Sequence, residues 1–542
     1  MADRAALLAR LRAGDDWDLA VIGGGCVGLG VALDATVRGL RVVLLESHDF
    51  AQGTSSRATK LAHGGVRYLA QGNIGLVREA LHERTALLQN APHVAARLPF
   101  VMPAYRWWER GFYGAGLKMY DTLAGRQGLG ATEWLSAAST RRLLPGVSPA
   151  MGAGGAALQG GVRYWDGQFD DARLALLLAR TALARGALVL NHCAVTALHH
   201  ENGQVRGLQV QDRETGASIA LRARCVVNAT GVWVDGIRAL DHAAAAPSAL
   251  ADTAPPALVA PSQGVHLVVD RAFMPGDHAL LVPKTADGRV LFAVPWLGKT
   301  VLGTTDTPRS DLAREPQPFA EEVAFILDEA GRYLARAPQR SDVRSVWVGL
   351  RPLVKPQAAG PGDTGRTQAL SREHTVLVDA SGLVTVTGGK WTTYRAMAED
   401  VLQRAMARGL LPPRPAGATA TLRLLGAAPG RPLSEPPGEH LYGSEVALLR
   451  SLPGAERWLW RDAETGRGAL SEAMVRFAVR HELARSVEDV LARRCRLLFL
   501  DAAEAARLAA PVAEIVAEEL GAGHAADTAG FLALAAQYQQ LP

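Results

Sequence analysis

One short stretch constrains the fold more than any other: an apolar run, DLAVI, followed by Gly23-x-Gly25-x-x-Gly28, a helical segment, and a second apolar run that ends in Glu46. Each residue has a physical task in a dinucleotide fold. Gly23 permits the tight turn, Gly25 lets the backbone approach a pyrophosphate, and Gly28 lets the helix pack closely on the strand. The helix N-terminus then faces the phosphates, and Glu46 can accept hydrogen bonds from the adenosine ribose. Three glycines that merely cap a buried turn would explain neither the order of the elements nor the spaced acid. The motif alone does not choose between FAD and NAD.

Two later segments favour FAD, held non-covalently. NATGVWVDG begins at Asn228 after a hydrophobic strand and brings Thr230 and Gly231 toward the dinucleotide. GLVTVTGGKWTTYRAMAEDVL reads as a strand, the pair Gly388 and Gly389, and a helix. A glycine entry into a helix can lay backbone N–H groups beside a flavin. The expected class is α/β: an FAD-binding dinucleotide fold assembled from residues 15–90, 150–240 and 345–400. A β-rich substrate domain (91–149 and 241–344) is inserted into it, mostly antiparallel, with a helix near 319–337. The proline- and glycine-rich GLLPPRPAG reads as a linker to a helical domain over 405–542, in which SEAMVRFAVRHELARSVEDVLARR is the clearest helical stretch.

Candidate reacting groups cluster in TSSRATKLAHGGVRYL, which holds Ser55, Ser56, Lys60, His63, Arg67 and Tyr68. Downstream lie His266, the Gly303–Asp306 turn, Arg351, Arg372 and Lys390. Arginines and a lysine gathered beside a flavin make an anion pocket suited to phosphate or carboxylate. Singly, each has a bland alternative. An arginine before proline is commonly an ordinary ion-pair residue, and a lone histidine can simply satisfy a carbonyl. Cys26 in the glycine turn reads as a small apolar filler.

The chain resembles the FAD-dependent, aerobic, quinone-linked glycerol-3-phosphate dehydrogenases. The resemblance rests on GGGCVGLG with Glu46, TSS…KLAHGGVRYL, YWDGQFDDARL, NATGVWV, PWLGKTVLGTTD, VGLRPL, SREHTV and TGGKWTTYR, and it covers roughly residues 15–510. It implies oxidation of sn-glycerol 3-phosphate at C2 to dihydroxyacetone phosphate, with electrons passed through flavin to membrane quinone. It also implies site roles: His63, Arg67 and Tyr68 at the substrate, Arg351 on its phosphate, and Arg372 and Lys390 beside substrate or flavin. His266 matches the family histidine near the reacting carbon, although Q-G-V-H stands where the family usually has G-S-H. His266 and His63 are both candidates for the base, since a neutral imidazole can take the C2 hydroxyl proton. Gly23, Gly25, Gly28, Glu46, Ser55, Ser56, Thr230, Gly231, Gly388 and Gly389 are the expected cofactor contacts, and no metal is required.

A glycerol-3-phosphate oxidase, reoxidised by molecular oxygen with release of hydrogen peroxide, would share nearly all these motifs. An amine oxidase on the same fold would carry one carboxylate-binding arginine and an apolar pocket, and a non-catalytic flavin scaffold would lack the substrate-side groups. A formal charge of +5 over 542 residues, spread as scattered arginine, argues against nucleic-acid binding. Four dispersed cysteines, no signal peptide and no run of about 18 apolar residues point to a cytoplasmic protein. The resemblance adds peripheral attachment to the cytoplasmic face of the membrane. The helical tail is a candidate for homodimerisation or membrane docking, or it simply caps the catalytic body.

Overall fold

In the computed structural model, residues 3–14, 16–65, 73–152, 154–245, 255–285, 288–355, 373–521 and 527–542 are described. The apolar run becomes strand Asp16–Ile22, fully buried from Leu19 onward. A strand with no polar side needs partners on both edges and cover on both faces. It pairs in parallel with Val42–Leu45 and with the end of Ser218–Asn228. The sheet extends through Leu188–Leu190 on one flank and Val384–Gly388 on the other, closing with antiparallel His374–Val378. Helices Cys26–Val37, Asp171–Ala184 and Tyr394–Ala407 cover one face. Helix Arg4–Arg12 and the antiparallel strands Cys193–Glu201 and Gln204–Asp212 cover the other.

The second sheet is antiparallel except where Ala279–Val282 runs parallel to Ala95–Ala104. Its long pairs are Ala95–Ala104 with Gly160–Phe169, and Val259–Asp270 with Val343–Val354. Helix Ala320–Tyr333, the expected interruption near 319–337, packs on its apolar face. One expectation changes here. Strands Leu61–Ala62, Gly160–Phe169 and most of Val343–Val354 lie within the segments expected to form the cofactor-binding domain, but they hydrogen-bond into this second sheet. Their partners lie far away in sequence, so order along the chain could not reveal the pairing.

Beyond residue 405 the described residues are largely helical, with a hairpin of Trp458–Arg461 and Gly468–Ser471. The helical stretch expected over 471–494 is interrupted. Helix Glu472–Glu482 stops at Leu483, which has φ +57°, and a π-helical turn follows at Asp489–Arg494. The break aims three arginines inward. Arg493 and Arg494 both pair with Asp49, and Arg496 donates to Asp171 Oδ1 at 3.0 Å. Charges this deeply buried persist only when paired. Among the described residues no helix is long and apolar enough to cross a membrane.

Candidate functional site

A cavity of about 1370 Å³ opens between the two sheets. Its wall begins at the glycine turn. Gly23 sits at φ +108°, and a Cβ there would lie 2.7 Å from the Ala229 carbonyl oxygen. Gly28 faces strand rather than cavity: a Cβ would stand 2.0 Å from the Gly23 oxygen, so helix Cys26–Val37 can approach the turn only without one. Glu46 borders the cavity, its carboxylate held by Gly24 N at 2.7 Å and His48 N at 2.8 Å. Ser55 Oγ accepts from Cys26 N at 2.9 Å at the start of the helix.

Gly25, Thr230, Gly231, Gly388 and Gly389 also line the cavity. Gly388 and Gly389 have φ +78° and +70°, and a Cβ at either would meet Glu373 O or Met397 Sδ within 2.7 Å. Side chains here would collide with neighbouring protein atoms, so bare backbone forms this part of the wall. The long space bordered by these glycines, with Glu46 at its edge and the N-terminus of helix Cys26–Val37 at Gly25, where the cap residue has no side chain of its own, fits an extended dinucleotide. Ser56, expected among the cofactor contacts, is not on this wall. It is buried, and its carbonyl is turned down to accept from Lys60 Nζ and Arg496 Nη2, both at 2.7 Å.

Strand pairing assembles the polar end. Gly264 and His266 lie two residues apart on strand Val259–Asp270, hence on one face. The Arg351 guanidinium lies over Gly264, where a Cβ would stand 2.3 Å from Nη2. Arg351 donates to Thr304 Oγ1 at 3.1 Å and to Gln263 O and Asp306 Oδ1 at 3.2 Å. His63 and Lys390 line the same cavity. Arg67, Tyr68 and Arg372 lie outside the described residues.

His266 is held from two sides. Its Nε2 is 3.0 Å from Thr59 Oγ1, and its ring stacks on Trp347 with centroids 4.1 Å apart. Burial, then the charges of Lys60 and Arg351, keep the imidazole well below its ordinary pKa, so it is neutral at pH 7. Lys60, prominent in the sequence as a polar residue of the motif, is wholly buried. Its Nζ donates to Asp171 at 2.8 Å and sits 4.6 Å from the Trp347 ring centroid. Burial brings the Lys60 ammonium down to about 7 against the pull of Asp171, with Arg496 adding to the fall. Thr59 and Trp347 escaped the sequence reading. Their only signal there was position: Thr59 lies inside TSSRATKLAHGGVRYL and Trp347 directly precedes VGLRPL.

Residues 18–395 match the family described as FAD dependent oxidoreductase, and 418–526 match the C-terminal domain of alpha-glycerophosphate oxidase. A mitochondrial glycerol-3-phosphate dehydrogenase of Arabidopsis thaliana is 41% identical over 96% of this chain and 85% of its own length. The mitochondrial enzyme of Homo sapiens is 38% identical over 95% of this chain and 72% of its own length. The chain belongs to the FAD-dependent glycerol-3-phosphate dehydrogenase family. A solved relative of the family, from Bacillus halodurans and complexed with FAD, superposes with a TM-score of 0.75 at 29% identity, covering 99% of this chain and 98% of that one. The L-alpha-glycerophosphate oxidase of Mycoplasma pneumoniae, 16% identical with a TM-score of 0.54 over 76% of this chain and 99% of its own, shares the fold. FAD is the cofactor.

Proposed function

We propose that the protein oxidises sn-glycerol 3-phosphate at C2 to dihydroxyacetone phosphate and passes the electrons to membrane quinone. The observation that carries the reading is the placing of the Arg351 guanidinium beside His266 on one strand face, in the cavity that the glycine cradle borders. Arg351 takes the phosphate through paired N–H donors, fixing which carbon meets the imidazole. His266, neutral and oriented by Thr59 and Trp347, accepts the C2 hydroxyl proton on its ring. Lys390 stabilises the negative charge that develops on the substrate oxygen. His63 is the second candidate for the base, and Arg67, Tyr68 and Arg372 complete the pocket as the family motifs imply. Bound FAD supplies the two-electron sink.

Quinone is favoured over oxygen by one surface. Helix Glu109–Ala124 and its approach expose Trp107 (87%), Phe112 (68%) and Met119 (50%), large apolar groups that ordinarily seek cover. Phe112 and Met119 also line the cavity, and Arg106, Arg110 and Lys118 flank them. Aromatic and basic side chains together suit an interfacial helix on an anionic bilayer, with a route from lipid to flavin. The test is anaerobic mixing with sn-glycerol 3-phosphate while following flavin absorbance, then splitting the reduced protein between a soluble quinone analogue and oxygen. Bleaching reversed quickly by quinone and slowly by oxygen supports the dehydrogenase. Rapid reoxidation by oxygen with peroxide release makes the protein an oxidase, and no bleaching removes the substrate assignment.

A further inference from the structure

After the short strand Thr307–Pro308, the chain leaves the second sheet and crosses to the dinucleotide domain before helix Ala320–Tyr333 begins. This crossing is pinned along its length. Trp233 Nε1 donates to Leu312 O at 3.0 Å, and Arg57 Nη1 donates to Arg314 O at 2.8 Å. Buried Arg57 also pairs with Glu315. The last helix, Thr528–Gln539, holds the same stretch from outside: Tyr538 Oη donates to Glu315 Oε2 at 3.1 Å, and Gln317 Nε2 donates to Gln537 Oε1 at 3.1 Å.

What the crossing carries is Arg314. Its side chain lines the cavity with Glu46, Gln52, Arg213 and Trp233, at the wall where the dinucleotide motif ends. The guanidinium lies 5.5 Å from the Trp233 ring centroid. Among the described residues it makes no hydrogen bond or ion pair, although its backbone and its neighbour Glu315 are firmly tied. Glu46 and Glu315 attract it and Arg213 repels it. A planar cation with uncommitted donors, presented by a segment fastened on both sides, is arranged to meet an anion or an aromatic base in the cavity.

We propose that residues 307–317 form a strap over the adenosine end of the FAD site, with Arg314 as its contact to the dinucleotide and Tyr538–Glu315–Arg57 as its fastening. Tyr538 is then a positioning residue that acts from the far end of the chain. The test measures FAD release from holoenzyme diluted into flavin-free buffer, read by the rise in flavin fluorescence. Arg314→Ala releases FAD about tenfold faster, the loss of one charge-assisted contact. Arg314→Lys, which keeps the cation, falls between the two. Tyr538→Phe unties the fastening without touching the cavity and speeds release about threefold, as for one neutral hydrogen bond. Added salt accelerates the wild type toward Arg314→Ala and changes that variant little. Release from Arg314→Ala at the wild-type rate overturns the proposal. So does equal acceleration in Ala and Lys variants with lowered unfolding midpoints, which would mark a loosened loop rather than a lost contact.

Discussion

At the scale of single residues, the site divides into groups that touch the cavity and groups that act through them. Arg351 is of the first kind. Replacing it with Met should raise KM for sn-glycerol 3-phosphate by roughly 10- to 100-fold in steady-state assays, as expected for lost hydrogen bonds to a charged group. Lys60 is of the second kind. Because burial and the charges of Lys60 and Arg351 depress His266, the neutral, base-competent imidazole persists below pH 6.5. The acid limb of kcat/KM should therefore fall below the ordinary histidine range. Lys60→Met removes a like charge that is protonated throughout that limb, so the limb should move up toward pH 6.5. An unmoved limb would point to His63 as the base. The residues that motifs bring together, His63, His266, Arg351 and Lys390, were legible because their chemistry is unusual for their spacing. Thr59 and Trp347 were not, since Trp347 meets His266 only through strand pairing and Thr59 reaches it from a loop some two hundred residues earlier.

At the scale of elements, the glycine turn is the least tolerant piece. Gly28→Ala would place a methyl group 2.0 Å from the Gly23 oxygen, forcing helix Cys26–Val37 away from the strand. The purified variant should carry little flavin absorbance, whereas alanine at Gly14, which meets nothing within 4 Å, should retain its cofactor. The first sheet was readable because parallel buried strands announce themselves as uninterrupted apolar runs bounded by turns. The second sheet was readable as a β-rich, mostly antiparallel unit, yet not in its membership. Gly160–Phe169 finds its partner more than fifty residues away at Ala95–Ala104, and no local pattern encodes that distance. The break after Glu482 was likewise hidden, because helical periodicity continues through residues that the tertiary structure bends inward.

For the molecule as a whole, the C-terminal domain meets the catalytic body through buried ion pairs as well as apolar contact. Asp49, near the end of the dinucleotide motif, receives Arg493 and Arg494, the latter also at 3.0 Å through its second nitrogen. Asp49 and Asp489 also approach His192, a grouping that resembles a metal site, but both carboxylates are engaged by these arginines. Arg494→Met should lower stability by about 3–5 kcal/mol in urea unfolding, because it strips a buried carboxylate of half its compensation.

The same arrangement bears on how the protein is made. Asp49, Asp170 and Asp171 leave the ribosome hundreds of residues before Arg493, Arg494 and Arg496 exist. Until then Asp49 and Asp170 lack these arginines and Asp171 has Lys60 alone, which opposes burying the three carboxylates together. A chain truncated before Arg493 would carry its cofactor motif complete and these counter-ions missing, and limited proteolysis should cut it faster than the full chain.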